Sequence, residues 1–264
     1  MSKISVIVPT LGTRKDELLR LFESIACQAY KAIEVVVIVQ DNYDTISKLC
    51  ELYSNQLNII YVPTNIKGLS HARNIGISYS SGNILLLSDD DCWYEKQAIG
   101  RIANFFDKNE EIDILLTQIY DPKRNEPYKV YSNKSKKLLK KTELLSKSSI
   151  EIAYRRSGLI INFDELFGLG GIYVAGEEND FLIRSLKANK WIQYEPFVTV
   201  YHEKKGKKES NKQLIAKGAF YSKNFGFAIS NLVLLRDLLI KHQNNYRWFW
   251  NGYFDYKKRN KRVY

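Results

Sequence analysis

The chain holds little cysteine and histidine and lacks any apolar run long enough to span a bilayer. Only three cysteines occur in 264 residues (Cys27, Cys50 and Cys92). Their spacing matches no metal-binding pattern, and an odd count argues against a disulfide framework and for a reducing cytoplasm. Histidine is equally sparse, with three residues at 71, 202 and 242, and neither His71 nor His242 suggests a role. A bilayer span needs about 20 consecutive apolar residues, and no stretch reaches that length. The opening Met1-Ser2-Lys3-Ile4-Ser5 has neither a basic n-region nor an apolar h-region, so no secretory signal is expected. No internal repeat is present. These absences lead to the expectation of a cytoplasmic protein, soluble or peripheral.

What is abundant is positive charge, and it is unevenly placed. The formal net charge is +11, and residues 201–264 carry 15 Lys or Arg against 4 Asp or Glu, so the rest of the chain is neutral. A basic tail on a neutral body suggests an anionic partner, either nucleic acid or a membrane surface. The tail also carries Trp248, Trp250 and several tyrosines, residues that favour the headgroup level of a bilayer. Clustered Lys and Arg are each worth roughly 1 kcal/mol near an anionic leaflet. No RNA-recognition motif accompanies the mixture, so membrane contact is the expectation and nucleic-acid binding is not.

The first 120 residues alternate short β-branched runs with helical periodicity. Strands are expected over 4–8, 33–39, 59–62, 84–87 and 112–119, and helices over 16–29, 45–52, 69–79 and 95–106. Such alternation predicts an open, mostly parallel α/β sheet with right-handed crossovers. Ligands of these sheets sit beyond the carboxyl ends of the strands, where Thr10, Gln40 and Asp89 to Asp91 would gather. From 121 to 149 the sequence turns Lys-, Ser- and Asn-rich, which reads as an exposed, mobile insertion. A helix over 181–186 and a strand over 191–201 follow.

Three adjacent acids, Asp89, Asp90 and Asp91, close the apolar run of 84–87. One acid is enough to cap a helix, and an unpaired buried carboxylate costs several kcal/mol. A hard divalent cation held by one or two carboxylates and substrate phosphates meets that demand. Gly68 to Gly76 open a helix whose Arg73 and Asn74 could face phosphate or sugar. Glu177, Glu178 and Asp180 lie at another helix start, where the dipole favours acids. There Asp180 and Arg184 form an i,i+4 pair, and one of the other acids is a candidate base behind the glycine-rich approach 168–176. His202, at a strand end, is by itself more often structural than a ligand.

Taken in order, these elements resemble the family-2 inverting glycosyltransferases of the GT-A fold, of the kind that build bacterial surface polysaccharides. The resemblance rests on Ser5 to Thr10, Gly68 to Gly76 and Gly82 to Tyr94, the last containing the DxD strand. It continues through Phe163-Asp164-Glu165, Gly176 to Arg184, Tyr194-Glu195-Pro196 and Val200-Tyr201-His202. It implies a Rossmann-like sheet with helices on both faces, followed by a helical, basic C-terminal extension. Residues 1–120 would form the nucleotide-sugar-binding half, 121–202 the acceptor-side half, and 203–264 a membrane-associating extension. It further implies Mn²⁺ or Mg²⁺ on Asp90, Asp91 and His202, donor contacts from Pro9, Thr10, Arg73, Asp89 and Asp90, and Glu178 as general base. The family usually places an Asp at the end of the second strand to contact the nucleobase. Here the strand ends in Gln40-Asp41, and either may take that place. The implied donor is a UDP-hexose or UDP-N-acetylhexosamine, with dTDP-rhamnose as the alternative. The implied acceptor is a lipid-linked glycan at the inner face of the cytoplasmic membrane. A non-catalytic scaffold of the same fold is the competing reading.

Overall fold

The computed structural model describes residues 2–156, 161–204, 206, 210–241 and 246–260. Four parallel strands form its first half, in the spatial order β3 (Asn58–Pro63), β2 (Ile33–Val39), β1 (Ile4–Thr10), β4 (Ile84–Leu87). Between them run α1 (Lys15–Ala26), α2 (Tyr43–Tyr53) and α3 (Leu69–Tyr79), as the alternation predicts. The sheet then continues β4, β9 (Ile152–Arg155), β6 (Ile114–Asp121), β10 (Ile192–Tyr201), β5 (Trp93–Tyr94), with α4 (Ala98–Lys108) preceding β6. Strand β9 is antiparallel to both β4 and β6 and is absent from the expected set. Its three core residues Ile152, Ala153 and Tyr154 are buried.

Strand β1 extends two residues beyond its expected end, through Pro9. The missing Pro9 N–H faces the β4 side, where pairing has already stopped at Ile7–Leu87. No ladder bond is lost, which is the condition for proline in a strand.

Alternate residues of the buried strands divide between two cores. Val6, Val8, Val35 and Val37 pack with Leu18, Phe22, Ile99 and Phe106 of α1 and α4. Ile7, Val36, Ile38, Leu85 and Leu87 face the other way, towards α3 and α5 (Glu177–Lys187). Each fully buried side chain of this size contributes roughly 1.5–3 kcal/mol, so helices on both faces follow from strands apolar on both faces.

Three helices follow β10, namely α6 (Asn211–Asn224), α7 (Gly226–Lys241) and α8 (Tyr246–Asn260). Helix α6 opens on a capping box, with the Ser210 hydroxyl accepting from the Gln213 N–H at 3.3 Å. Phe220 and Tyr221 of α6 and Phe249 and Tyr253 of α8 belong to the second core, so much of the expected extension packs on the domain. The two helices meet through Gly218 and Gly252, where an added Cβ would collide with the carbonyls of Phe249 and Ile215. Lys257, Lys258 and Arg259 of the basic run stand in the last turn of helix α8, whereas Lys261 and Arg262 lie outside the described residues, as does His242.

The stretch 121–149 is not a free insertion. It contributes β7 (Glu126–Pro127), paired to β6, and β8 (Lys136–Leu138), paired to β10. Two short 3-10 turns follow, at Lys141–Leu144 and Ser149–Glu151. Leu138 and Leu144 reach the second core, which holds the segment down despite its polar composition.

Candidate active site

A cleft of about 480 Å³ opens at the carboxyl ends of β1, β2 and β4. Pro9, Thr10, Gln40, Asp89, Asp90, Asp91 and His202 all line it, so seven expected site residues are gathered from separate segments of the chain. The Thr10 hydroxyl donates to Asp90 Oδ2 at 2.7 Å and accepts from the Gly12 N–H at 2.9 Å. Burial pushes the Asp90 carboxyl above its ordinary value, against the opposing pull of that hydrogen bond and of Arg14. His202 Nε2 stands 3.2 Å from Asp91 Oδ1, and its ring meets Tyr128 edge-on at 5.3 Å. The His202 Nδ1 atom is buried without a hydrogen-bond partner.

Arg14, which sequence reasoning passed over, pairs with both Asp90, at 3.2 Å, and Asp91. It supplies the countercharge that two adjacent buried carboxylates require. Its side chain is 40 % exposed, so it can leave as a cationic ligand arrives. Nothing in the local sequence around Thr13 and Lys15 signals this role.

Gln40 and Asp41 divide at the end of β2. The Gln40 side-chain oxygen accepts from the Gly68 N–H at 2.8 Å, on the cleft wall. Asp41 is half exposed at the rim and pairs with Lys67 Nζ at 2.5 Å. Lys67 itself lines the cleft, and its hydrogen bond holds the Asp41 carboxyl below the usual range.

Arg73 is not on the cleft wall. Its side chain is 1 % exposed and bonds Asp89 Oδ1 at 2.9 Å, the Ser149 hydroxyl at 2.8 Å and Glu177 Oε1 at 3.4 Å. Arg73 is thus engaged by two carboxylates and a hydroxyl, while its buried Nε has no hydrogen-bond partner. Asn74 likewise turns inward, donating to the Phe163 carbonyl at 3.0 Å and accepting from the Phe163 N–H at 2.7 Å. The Ser70 hydroxyl donates to the Phe167 carbonyl at 2.6 Å. One face of α3 thus holds the segment 163–169 in place, including the backbone bond from Leu69 N–H to the Leu169 carbonyl.

A second, larger cavity of about 730 Å³ lies against the start of α5. Glu178 stands on its wall at the first turn of α5, with Gly176 at φ 100° as the preceding N-cap. Only glycine takes that conformation without strain, and it turns the chain so that the first-turn acids come together. Burial, and then the neighbouring Glu177, push the Glu178 carboxyl up to about 8. Asp180 is fully buried and bonded to Arg184 at 2.7 Å, Lys223 at 2.8 Å and Asn224 at 3.1 Å. It pins α5 to α6, which matches its reading as an i,i+4 partner. The other walls of the cavity come from residues 142–146, from α6 and from α7.

Asp90, Asp91 and His202 bring two carboxylates and one imidazole to the cleft, with the His202 Nε2 facing Asp91. Carboxylates and imidazole are the donor types that a divalent cation takes. Among the described residues, no three of His, Cys, Asp and Glu converge as a complete metal cluster.

Residues 5–167 match the family described as Glycosyl transferase family 2. Glycosyltransferase GlyA of Streptococcus pneumoniae serotype 4 is 32 % identical over 147 residues, covering 50 % of this chain and 21 % of that protein. The poly(ribitol-phosphate) beta-N-acetylglucosaminyltransferase TarS of Staphylococcus aureus is 32 % identical over 123 residues, covering 45 % of this chain and 21 % of TarS. The matched part spans about a fifth of the length of these curated relatives. The crystal structure of S. aureus TarS 1-349 in complex with UDP superposes with a TM-score of 0.68 at 21 % identity. It covers 92 % of this chain and 74 % of that one. The UDP-GlcNAc complex of the same protein gives 0.68 over 90 % and 73 %. The fold is shared.

Proposed function

The chain belongs to glycosyl transferase family 2 and has the GT-A fold, and on that premise we propose that it transfers a sugar with inversion from a UDP-hexose or UDP-N-acetylhexosamine. The acceptor is a hydroxyl of a lipid-linked oligosaccharide, in the synthesis of a bacterial surface polysaccharide. One observation carries this reading. Buried Arg73 ties Asp89, on the wall of the carboxylate cleft, to Glu177, the chain neighbour of the high-pKa Glu178 that lines the second cavity. Such an arrangement serves two substrates that must meet at one bond.

The cleft takes the nucleotide diphosphate. In this reading Pro9, Thr10 and Gln40, with Asp41 and Lys67 at the rim, contact the nucleoside and Asp89 to Asp91 face the diphosphate; all of these but Asp41 line the cleft. Asp90, Asp91 and His202 would hold Mn²⁺ or Mg²⁺, which when bound neutralises charge on the departing diphosphate. The relative TarS was crystallised with UDP-GlcNAc, which supports a UDP-linked donor.

Glu178 takes the proton of the acceptor hydroxyl. A carboxyl near 8 is a stronger base than an exposed one, and its ionised fraction rises as pH approaches that value. With residues 1–120 on the donor side and 121–202 on the acceptor side, the helices after 203 would seat the protein on the inner membrane. Supporting this, Phe227, Leu232, Leu235 and Leu239 stand exposed on α7 beside a basic C-terminal helix. Among the described residues no helix is long and apolar enough to cross a membrane, so the contact would be peripheral.

Thermal shift with UDP, GDP and dTDP, each with Mn²⁺ and with EDTA, tests the donor. A ligand that binds only the folded state raises the melting temperature. Stabilisation by UDP that EDTA abolishes is the expected result, and stabilisation by GDP alone refutes it. Membrane contact is tested by co-sedimentation with anionic vesicles, where Leu232→Gln with Leu235→Gln should weaken pelleting. Unchanged pelleting would remove α7 from the membrane surface.

A further inference from the structure

The cavity beside Glu178 carries two cations that the transfer chemistry does not use. Lys217 of α6 and Arg236 of α7 both line it, and both pair with the same carboxylate, Asp237, which is 4 % exposed. Arg236 approaches Asp237 at 2.7 Å and 3.0 Å through two guanidinium nitrogens. Two cations thus converge on one buried acid. Phe220 and Tyr221 form an aromatic wall of the same cavity, a surface suited to the apolar face of a sugar or polyol. These groups belong to the C-terminal helices, outside the residues matched by the family.

We propose that this cavity is the acceptor subsite and that it takes a phosphate-bearing acceptor. The carbohydrate part lies on Phe220 and Tyr221, with its hydroxyl towards Glu178, and the phosphate lies between Lys217 and Arg236. The assignment of the hydroxyl rests on Glu178 as the base, whereas the phosphate site stands on the cations alone. Phosphate suits this pair better than a neutral sugar does. Arg presents a planar fork of donors and Lys a compact point charge, and both already lie near one anion. The half-exposed Arg236 can turn from Asp237 to a second anion, leaving Lys217 to neutralise the buried acid.

The same chemistry is found in a lipid diphosphate and in a polyol phosphate chain, and binding measurements separate them. The purified protein is titrated calorimetrically with inorganic phosphate, with glycerol 3-phosphate and with farnesyl diphosphate in detergent micelles. Expected is phosphate-dependent binding that falls about tenfold or more in Lys217→Gln/Arg236→Gln, the loss typical of charge-assisted hydrogen bonds. Affinity for UDP should stay unchanged in that variant. Tighter binding of glycerol 3-phosphate than of farnesyl diphosphate identifies a polyol phosphate as the source, and the reverse order a lipid diphosphate. The charge-conserving Lys217→Arg variant should retain binding and serves as the control for folding. Equal affinities in wild type and double variant, or an equal loss of UDP affinity, overturn the proposal. Glu178→Gln separates this claim from the base assignment. It should lower transfer by about 10²–10⁴ while leaving phosphate affinity unchanged, because Gln matches the shape of the protonated Glu178 side chain.

Discussion

Replacing Glu178 by Gln should make the protein more stable and nearly inactive, and the stabilisation should depend on pH in one direction only. The Glu178 carboxyl is raised from an ordinary value of 4.5 to about 8 by burial and by Glu177. Between those two values the folded protein holds a proton that the unfolded chain has released. The contribution is therefore fully present below pH 4.5 and is lost as pH rises through 8. Each tenfold change in proton affinity between the folded and unfolded chain is worth about 1.4 kcal/mol, so ionised Glu178 costs the fold a few kcal/mol above pH 8. Gln, isosteric and uncharged, escapes that cost. With roughly 2–4 °C of melting temperature per kcal/mol for a chain of this size, the variant should melt several degrees higher at about pH 8.5. At pH 4.5 it should match the wild type. Transfer should fall by about 10²–10⁴, the usual contribution of a positioned base. Melting curves of both proteins from about pH 4.5 to 9, with turnover at each pH, check both halves. A melting difference that is the same at every pH would refute the electrostatic reasoning, and wild-type turnover would move the base elsewhere.

Wild-type kcat/KM should rise with pH and level off near 8, since only ionised Glu178 can accept a proton. A profile flat from about pH 5 to 9 would contradict this. Arg73→Met should destabilise the fold by about 3–5 kcal/mol, because it strands the acids Asp89 and Glu177 that Arg73 joins. Urea denaturation reads that loss, and a change below about 1 kcal/mol would mean the bridge is dispensable. Gly218→Ala should cost about 1–3 kcal/mol by forcing α6 away from α8, and an unchanged melting temperature would show that the helices can separate freely.

Much of the fold was legible because the strands of the first half are apolar on both faces and end in recognisable turns. Strand β4 with its terminal acids is the clearest case, and the cleft forms where the expected strand ends converge. Strand β9 was missed because its four residues follow a Lys-rich stretch and run against their neighbours. The stretch 121–149 read as loose because composition does not reveal that Leu138 and Leu144 reach the core. Arg73 shows a deeper limit. Its sequence shows a charge at a helix start, but its partners Asp89 and Glu177 are 16 and 104 residues away. Arg14 and the cavity cations Lys217 and Arg236 lie in segments with no local pattern, so only the folded chain brings them to the acids they serve.

The central claim is transfer with inversion, with Glu178 as base, and slow donor hydrolysis followed by proton NMR tests it without knowledge of the acceptor. Water takes the acceptor's place, and the first-formed anomer is read before mutarotation. With UDP-glucose, UDP-GlcNAc and UDP-GalNAc and Mn²⁺ present, one of these α-linked donors should release its sugar first as the β anomer. EDTA and Glu178→Gln should each suppress that release. First release of the α anomer, or hydrolysis undiminished in Glu178→Gln, would contradict the account.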